Sequence, residues 1–330
     1  RLAREREAAS ALLAQSVFGT EAVRLNLITD VVTTYFNLRA AEQQLAITRE
    51  TLGTREETLA LEEVRYESGA SNPLSIRQAR ASLESTRARL PQQEQRVHEL
   101  RSALAMLVGY SPRELLSELD FGDAKLTEIE LPDSVPAVLP SELLQRRPDI
   151  RAAEEALVAA NARVGVAKAQ RFPSLNLQAL GGSVALDSDD LFTAPAEMWS
   201  VGANLAGPLF DFGRTRSRIE SAEAQLAQAE AQYQLAITNG FRDARDALVL
   251  YQTSDRRVEA VRRQAEAIEE TLELAELQYD AGSIGFYELL DAQRGLLDAE
   301  LALSQAMSDR LAATATLFKA MGGGWSMPRS

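Results

Sequence analysis

The sequence predicts a mainly α chain with one β-hairpin: long antiparallel helical hairpins that form part of an α-barrel, with strands that contribute to a β-barrel. Three observations carry this. A seam of small and apolar residues alternates steps of four and three from Leu27 to Leu59, through Leu38, Ala41, Leu45, Thr48, Leu52 and Arg55. The chain repeats itself at a fixed offset of 213, so that Tyr66 maps to Tyr279 and Gly69 to Gly282. Between the two repeats, and only there, the apolar period switches from a helical one to an alternation of two.

The seam fixes the first element. A step of four and three is the period that winds helices round their neighbours with a left-handed twist, and Ile219, Ala222, Leu226, Ala229, Tyr233 and Ala236 repeat it in the second half. No proline occurs before Pro73, or between Gly213 and the tail, so each first arm is expected to be one helix of roughly 100 Å at about 1.5 Å per residue. Each arm ends at a turn, Ser68-Gly69-Ala70-Ser71-Asn72-Pro73 or Ala281-Gly282-Ser283-Ile284-Gly285. Gly69 supplies a positive φ, and Asn72-Pro73 restarts a helix. Pro91 falls inside the return helix and is expected to bend or break it.

The repeat holds without a gap: Leu61, Ala79, Leu83, Leu104 and Gly109 map onto Leu274, Ala292, Leu296, Leu317 and Gly322. It also sends Arg1 to Arg214, which follows the alternating stretch. By this symmetry a matching strand pair and the segment before it, roughly 70 residues, are expected to be missing ahead of Arg1. The expected organisation is a first helical hairpin (1–109), a connector (110–147), a helix (148–172), a membrane β-hairpin (173–211), a second helical hairpin (212–322) and a tail (323–330).

In the alternating stretch Leu175, Leu177 and Ala179 interleave with Ser174, Asn176 and Gln178, and Trp199, Val201, Ala203 and Leu205 with Ser200, Gly202 and Asn204. Each run is of the length that crosses a bilayer as a tilted strand, with Trp199 and Phe172 where an aromatic girdle belongs. A soluble amphipathic hairpin would show the same alternation. In lipid, however, open strand edges are forbidden, so two strands per chain demand closure by other copies, and the long helices close below them into a second cylinder.

Composition removes other classes. With 35 Lys+Arg against 48 Asp+Glu the net charge is −13, which opposes nucleic acid. There is no cysteine and one histidine, His98, so thiolate and multi-histidine metal sites are absent from the sequence. No apolar run is long enough for a membrane helix. No nucleophile–base set or phosphate loop is present, and no enzyme activity or cofactor is expected.

Leu143-Leu144-Gln145-Arg146-Arg147-Pro148-Asp149-Ile150, Ala167 to Phe172 with Pro173-Ser174-Leu175, Gly207-Pro208-Leu209-Phe210, Leu289 to Arg294, and the tail Leu317 to Trp325 resemble, in order, the motifs of the TolC-like outer-membrane efflux proteins, especially their lipoprotein branch. The resemblance implies a homotrimer in the outer membrane of a Gram-negative cell, mostly periplasmic. It implies a barrel of about 12 strands, about four per subunit, whereas this stretch supplies one strand pair. It also implies a periplasmic adaptor and an inner-membrane pump as partners, contact with outer-membrane lipid, and a lipid anchor on an N-terminal cysteine that this stretch lacks.

The same resemblance singles out site residues. Glu288 and Asp291, one helical turn apart, stand where the family narrows its pore. Three-fold symmetry would gather them into an acidic ring with raised pKa values; solvated carboxylates near a helix start explain them equally simply. Tyr279 resembles a tyrosine that holds the entrance closed by hydrogen bonds between hairpins, or else caps a helix end, and Ile284 replaces an arginine of that lock. Tyr287 narrows the opening or packs between helices. The tips Ser68, Gly69, Ala70 and Ser71, and Ala281, Gly282 and Ser283, are small enough for end-on contact with an adaptor hairpin, and the same residues serve turn chemistry. The implied function is passive conduction of drugs or other solutes. A soluble coiled-coil scaffold is the alternative; it leaves the strand pair unexplained. An adaptor would carry one hairpin among many strands.

Overall fold

A computed structural model describes residues 1–111, 113–114, 121–122, 124–129, 140–183, 197–208 and 210–323. The order is α1 (Leu2–Glu67), α2 (Pro73–Leu107), a 3-10 turn (Leu126–Glu128), α3 (Pro140–Arg146), α4 (Pro148–Ala169), β1 (Ser174–Ser183), β2 (Glu197–Ala206), α5 (Arg214–Asp280) and α6 (Phe286–Ala320). The repeat is structural as well as sequential. Adding 213 to the bounds of α2 gives those of α6, and the end of α1 maps to the end of α5. The first arms are 66 and 67 residues long and both return helices have 35 residues.

Both tips close in one way. Gly69 and Gly282 take φ of 79° and 71°. Ala70 N donates to Arg65 O at 2.7 Å and Gly69 N to Tyr66 O at 2.9 Å, and Ser283 N and Gly282 N repeat the pair on Gln278 O and Tyr279 O. These are the crossed bonds that satisfy the last carbonyls of a helix ended by a left-handed glycine. Asn72 Oδ1 then accepts from Leu74 N and Ser75 N and caps α2. Of the two expected effects of Pro91, the break does not occur: α2 runs unbroken through it. The ring removes one backbone bond, but Leu83 and Thr86 before it and Val97 and Leu100 after it are all buried, and that packing holds the helix together.

By packing the chain divides into two units. The first, Arg1–Thr20 with Pro148–Thr238, contains α4, the strands and the starts of α1 and α5. Its buried residues are mostly small, among them Ala8, Ala11, Ala159, Ala162, Ala167 and Ala229, which lets backbones approach closely. Among the described residues its sheet has two strands, paired antiparallel with Leu175 opposite Leu205, Leu177 opposite Ala203, Ala179 opposite Val201 and Gly181 opposite Trp199. Partners across a ladder share a face, so the apolar sets of the two runs lie together on one side.

The second unit is Glu21–Arg147 with Asn239–Ser330. On α1 the seam is buried at Leu38, Ala41, Leu45, Thr48 and Arg55 and half-buried at Leu52 and Leu59, with Leu38, Ala41 and Leu45 packed against Val97, Leu100 and Leu104 of α2; Leu27, expected in the seam, is exposed. Ala247 of α5 meets Leu317 and Ala320 of α6. Near the tips the two hairpins share a core: Ala79 of α2, Ala275 of α5 and Phe286, Leu289 and Leu290 of α6, flanked by Leu59 of α1. No described helix is long and apolar enough to cross a membrane.

Candidate functional site at the hairpin tips

The α1 seam changes character toward the tip. After Leu38, Ala41 and Leu45 the buried positions become Thr48, Arg55 and then Glu62. Glu62 continues the rhythm three residues beyond Leu59 and is only 1% exposed. A buried carboxylate is costly unless its oxygens are hydrogen-bonded, and both are. Tyr279 Oη donates to Oε1 at 2.5 Å across the hairpins, and Ser71 Oγ donates to Oε2 at 2.7 Å from the turn. The Arg65 guanidinium lies over the Tyr279 ring, 4.6 Å from its centroid, and Nη2 reaches Asp280 Oδ1 at 2.9 Å. The ring also lies 5.9 Å from that of Phe286. Burial first, and the bond to Glu62 second, push the Tyr279 hydroxyl up to about 12, so it remains a donor through the physiological range. The end of α5 is thus tied to the end of α1 and its turn by a small polar network on the shared tip core.

The other expected residues are placed as follows. Tyr287, Glu288 and Asp291 lie on the exposed side of the first turns of α6, while Phe286, Leu289 and Leu290 face the core. Glu288 is turned back on its own helix start, its Oε2 3.0 Å from where a Cβ on Gly285 would stand. Neither carboxylate makes an ion pair among the described residues. Ser68, Gly69, Ala70, Ala281, Gly282 and Ser283 are exposed, and Ser71 is half-buried. Ser68 and Ser283 donate to Arg65 O and Gln278 O within their own turns. The structure therefore brings Tyr279 to the first hairpin and leaves Glu288, Asp291 and Tyr287 exposed on the surface of the single chain. In the other unit Leu175, Leu177, Trp199, Val201, Ala203 and Leu205 share one strand face, and all are exposed.

Sequence reasoning missed Glu62, Arg65 and Asp280. The signal for Glu62 was a carboxylate at the next seam position; the other two carried none. The connector motif also gains a physical reason. Arg147 is buried, and its Nη1 donates to Gly240 O and Ala320 O at 3.2 Å while Nη2 pairs with Asp243. It clasps the connector to α5 and to the end of α6. Pro140 and Pro148 open the two helices on either side of it, the position proline tolerates best.

With two matched hairpins, a strand pair between them and this tip in view, comparison with known proteins is direct. The profile described as outer membrane efflux protein matches residues 1–110 and 139–323. The chain belongs to the outer membrane efflux protein family. The cation efflux system protein CusC of Escherichia coli O6:H1 is 34% identical over 304 residues, covering 92% of this chain and 65% of CusC. The solvent efflux pump outer membrane protein SrpC of Pseudomonas putida is 34% identical over 309 residues, 93% of this chain and 64% of SrpC. The open state of the Neisseria gonorrhoeae MtrE outer membrane channel superposes with a TM-score of 0.87 at 33% identity, over 98% of this chain and 72% of that one. The chain thus spans about two thirds of the length of these curated relatives. As a member of the outer membrane efflux protein family it has long hairpins that are parts of an α-barrel and strands that are parts of a β-barrel. It is a Gram-negative outer-membrane protein with its helical part largely in the periplasm. The relatives named above are, by their own descriptions, efflux components and channels.

Proposed function

We propose that three copies of this chain form the outer-membrane exit duct of a tripartite efflux system, conducting solutes passively from the periplasm to the exterior. The observation that carries this is the strand pair. Its apolar face is fully open, with Leu177, Trp199 and Val201 each more than 70% exposed, and among the described residues each strand has one unpaired edge. Two isolated strands are marginal in water and forbidden with open edges in lipid. Closure by copies of the same chain satisfies both the edges and the apolar face. The helices that continue from the strands then enclose the duct below.

On this reading the hairpin tips are its periplasmic entrance. The Glu62–Tyr279 network holds the hairpins of one subunit together in the closed arrangement. Glu288 and Asp291 project toward the axis, where three copies of each make a cation-attracting constriction. Ser68 to Ser71 and Ala281 to Ser283 meet a periplasmic adaptor, and an inner-membrane pump supplies the energy and the choice of substrate. An adaptor that contacts the open tips better than the closed ones shifts the population toward opening.

Planar-bilayer recording from the full-length protein tests the duct. Stepwise conductance with no energy source is expected. A protein that stays in the aqueous phase without detergent and gives no steps would instead be the scaffold that the heptads alone allow.

A further inference from the structure

Within the second unit the two hairpins meet where α6 lies on α1. Ser308 Oγ donates to Asn37 Oδ1 at 3.2 Å, and Gln44 Nε2 donates to Gln305 Oε1 at 3.4 Å. Leu311 packs on Ala40, with Met307 beside them. Ser308, Leu311 and Ala40 are buried. The offset of 213 sends the α1 side of this contact, Asn37, Ala40 and Gln44, to Leu250, Thr253 and Arg257 of α5. Taken in reverse, it sends the α6 side, Gln305, Met307, Ser308 and Leu311, to Gln92, Glu94, Gln95 and His98 of α2. Every one of these mates is exposed. The chain therefore closes one pair of faces on each other and leaves the matching pair bare. A single chain cannot join the bare pair, because they lie on the far sides of the two hairpins that already touch. A second copy can: contact of one face with a different face of the next copy is heterologous, and such contacts generate rings where the rotation closes.

The chemistry of the bare faces is complementary. Leu250, Thr253 and Arg257 border a groove completed by the small residues Ala312 and Ala313 of α6. The Thr253 hydroxyl donates to Val249 O at 2.8 Å, which leaves its oxygen able to accept. Arg256, three residues on, donates to Gln252 O of its own helix and has no carboxylate partner among the described residues. On the other face, Glu94 pairs with Arg49 through one oxygen only, in an exposed contact that contributes little by itself. His98, the one histidine of the chain, makes no hydrogen bond among the described residues. A cation without a partner and a hydroxyl oxygen thus stand on one face, and a carboxylate oxygen and an imidazole on the face the repeat sets against it. The tip network has no counterpart here: the mates of Glu62 and Arg65 are Ala275 and Gln278. What joins two copies therefore lies along the helices and not at the tips.

We propose that the groove between α5 and α6 is the seat for α2 of a second copy of this chain. The partner's Gln95 lies on Leu250, and the partner's His98 donates to Thr253 Oγ1. The partner's Gln92 accepts from Arg257, and the partner's Glu94 pairs with Arg256. Inside the chain the same junction is closed by Leu311, Met307 and a buried serine; between copies an imidazole and a charged pair take those places. A seam of small and apolar residues tolerates axial slip, whereas polar groups that must find particular partners fix the register of one helix on another. This rests on the reading of the duct as an assembly of copies, and adds which residues join them and in what register.

The test is disulfide trapping in the full-length protein, purified in detergent, with any free cysteine outside this stretch replaced by Ser. Leu250→Cys and Gln95→Cys are combined in one chain, oxidised and run on a denaturing gel; both positions are exposed in the single chain, so neither change empties the core. The expected result is a ladder of covalent dimers and trimers. The repeat mates, Asn37→Cys with Ser308→Cys, are expected to link within one chain at unchanged mass. Glu266→Cys with Gln95→Cys, roughly 24 Å further along α5 at about 1.5 Å per residue, is expected not to link. If light scattering shows an oligomer while the 250/95 pair stays monomeric on the gel, or links no faster than the 266/95 pair, the copies join by other faces and the seat is wrong. If the unsubstituted protein forms no oligomer, the assembly reading fails, and the seat with it. Arg256→Glu is expected to lower the oligomer fraction on dilution, and Glu94→Arg added to it to restore most of the loss. A loss without restoration would refute the register.

Discussion

Removing the Tyr279 hydroxyl isolates the tip lock. In Tyr279→Phe the ring is kept, and with it the ring contacts to Arg65 and Phe286; the 2.5 Å bond to Glu62 Oε1 is lost, together with the weaker interaction of the hydroxyl with the Arg65 side chain. Glu62 is 1% exposed, so water does not readily replace the donor, and Ser71 serves only the other oxygen. A hydrogen bond to a charged group contributes about 1.5–3 kcal/mol. If it holds the closed arrangement, its loss shifts the closed-to-open ratio roughly 10- to 150-fold per subunit. Single-channel recording reads this as a rise in open time, and thermal unfolding reads a parallel loss of stability. Glu62→Gln and the double variant complete a cycle that measures the pair alone. The expected coupling is above about 1 kcal/mol. Additive effects, or open times unchanged by Tyr279→Phe, would refute the lock.

Four further outcomes follow from the same geometry. The Tyr279 pKa is raised, so the protonated phenol is the stabilised form; its contribution is full below pH 10 and is lost as pH climbs toward about 12, and the difference in unfolding temperature between wild type and Tyr279→Phe should hold to about pH 10 and then shrink. Leu290→Ala empties a site 1% exposed in the shared tip core and should cost about 2–5 kcal/mol in denaturant unfolding. Gly322→Ala places a Cβ 2.8 Å from the Arg146 backbone at φ of 86°, while its repeat mate Gly109 has the same φ and open space; both variants should lose about 1 kcal/mol to the backbone, and Gly322→Ala measurably more in the same melts. Glu288→Ala with Asp291→Ala should lower the cation preference of the duct in salt-gradient bilayer recordings, and unchanged reversal potentials would remove the acidic constriction.

Much of the fold was legible because helices and strands write their period into the chain. The four–three seam, the glycine of each tip and the alternation of Leu175 to Ala179 and Trp199 to Leu205 each report a local preference, and each element formed where its pattern stood. The offset of 213 carried further, since a repeated sequence folds into repeated helices. Pro91 shows the limit of local rules. The missing amide is a fixed cost, but the packing of α2 on either side outweighs it, and that packing depends on α1, far away in sequence.

What the sequence by itself determined is therefore which faces are apolar, where the chain turns and that the second half repeats the first. Only the tertiary structure decided which polar groups meet. Glu62 and Tyr279 are 217 residues apart, and Arg147 finds carbonyls on two different helices. Periodicity states that a position is buried, but a buried charge is stable only beside particular donors and acceptors, and those are chosen by how the hairpins pack.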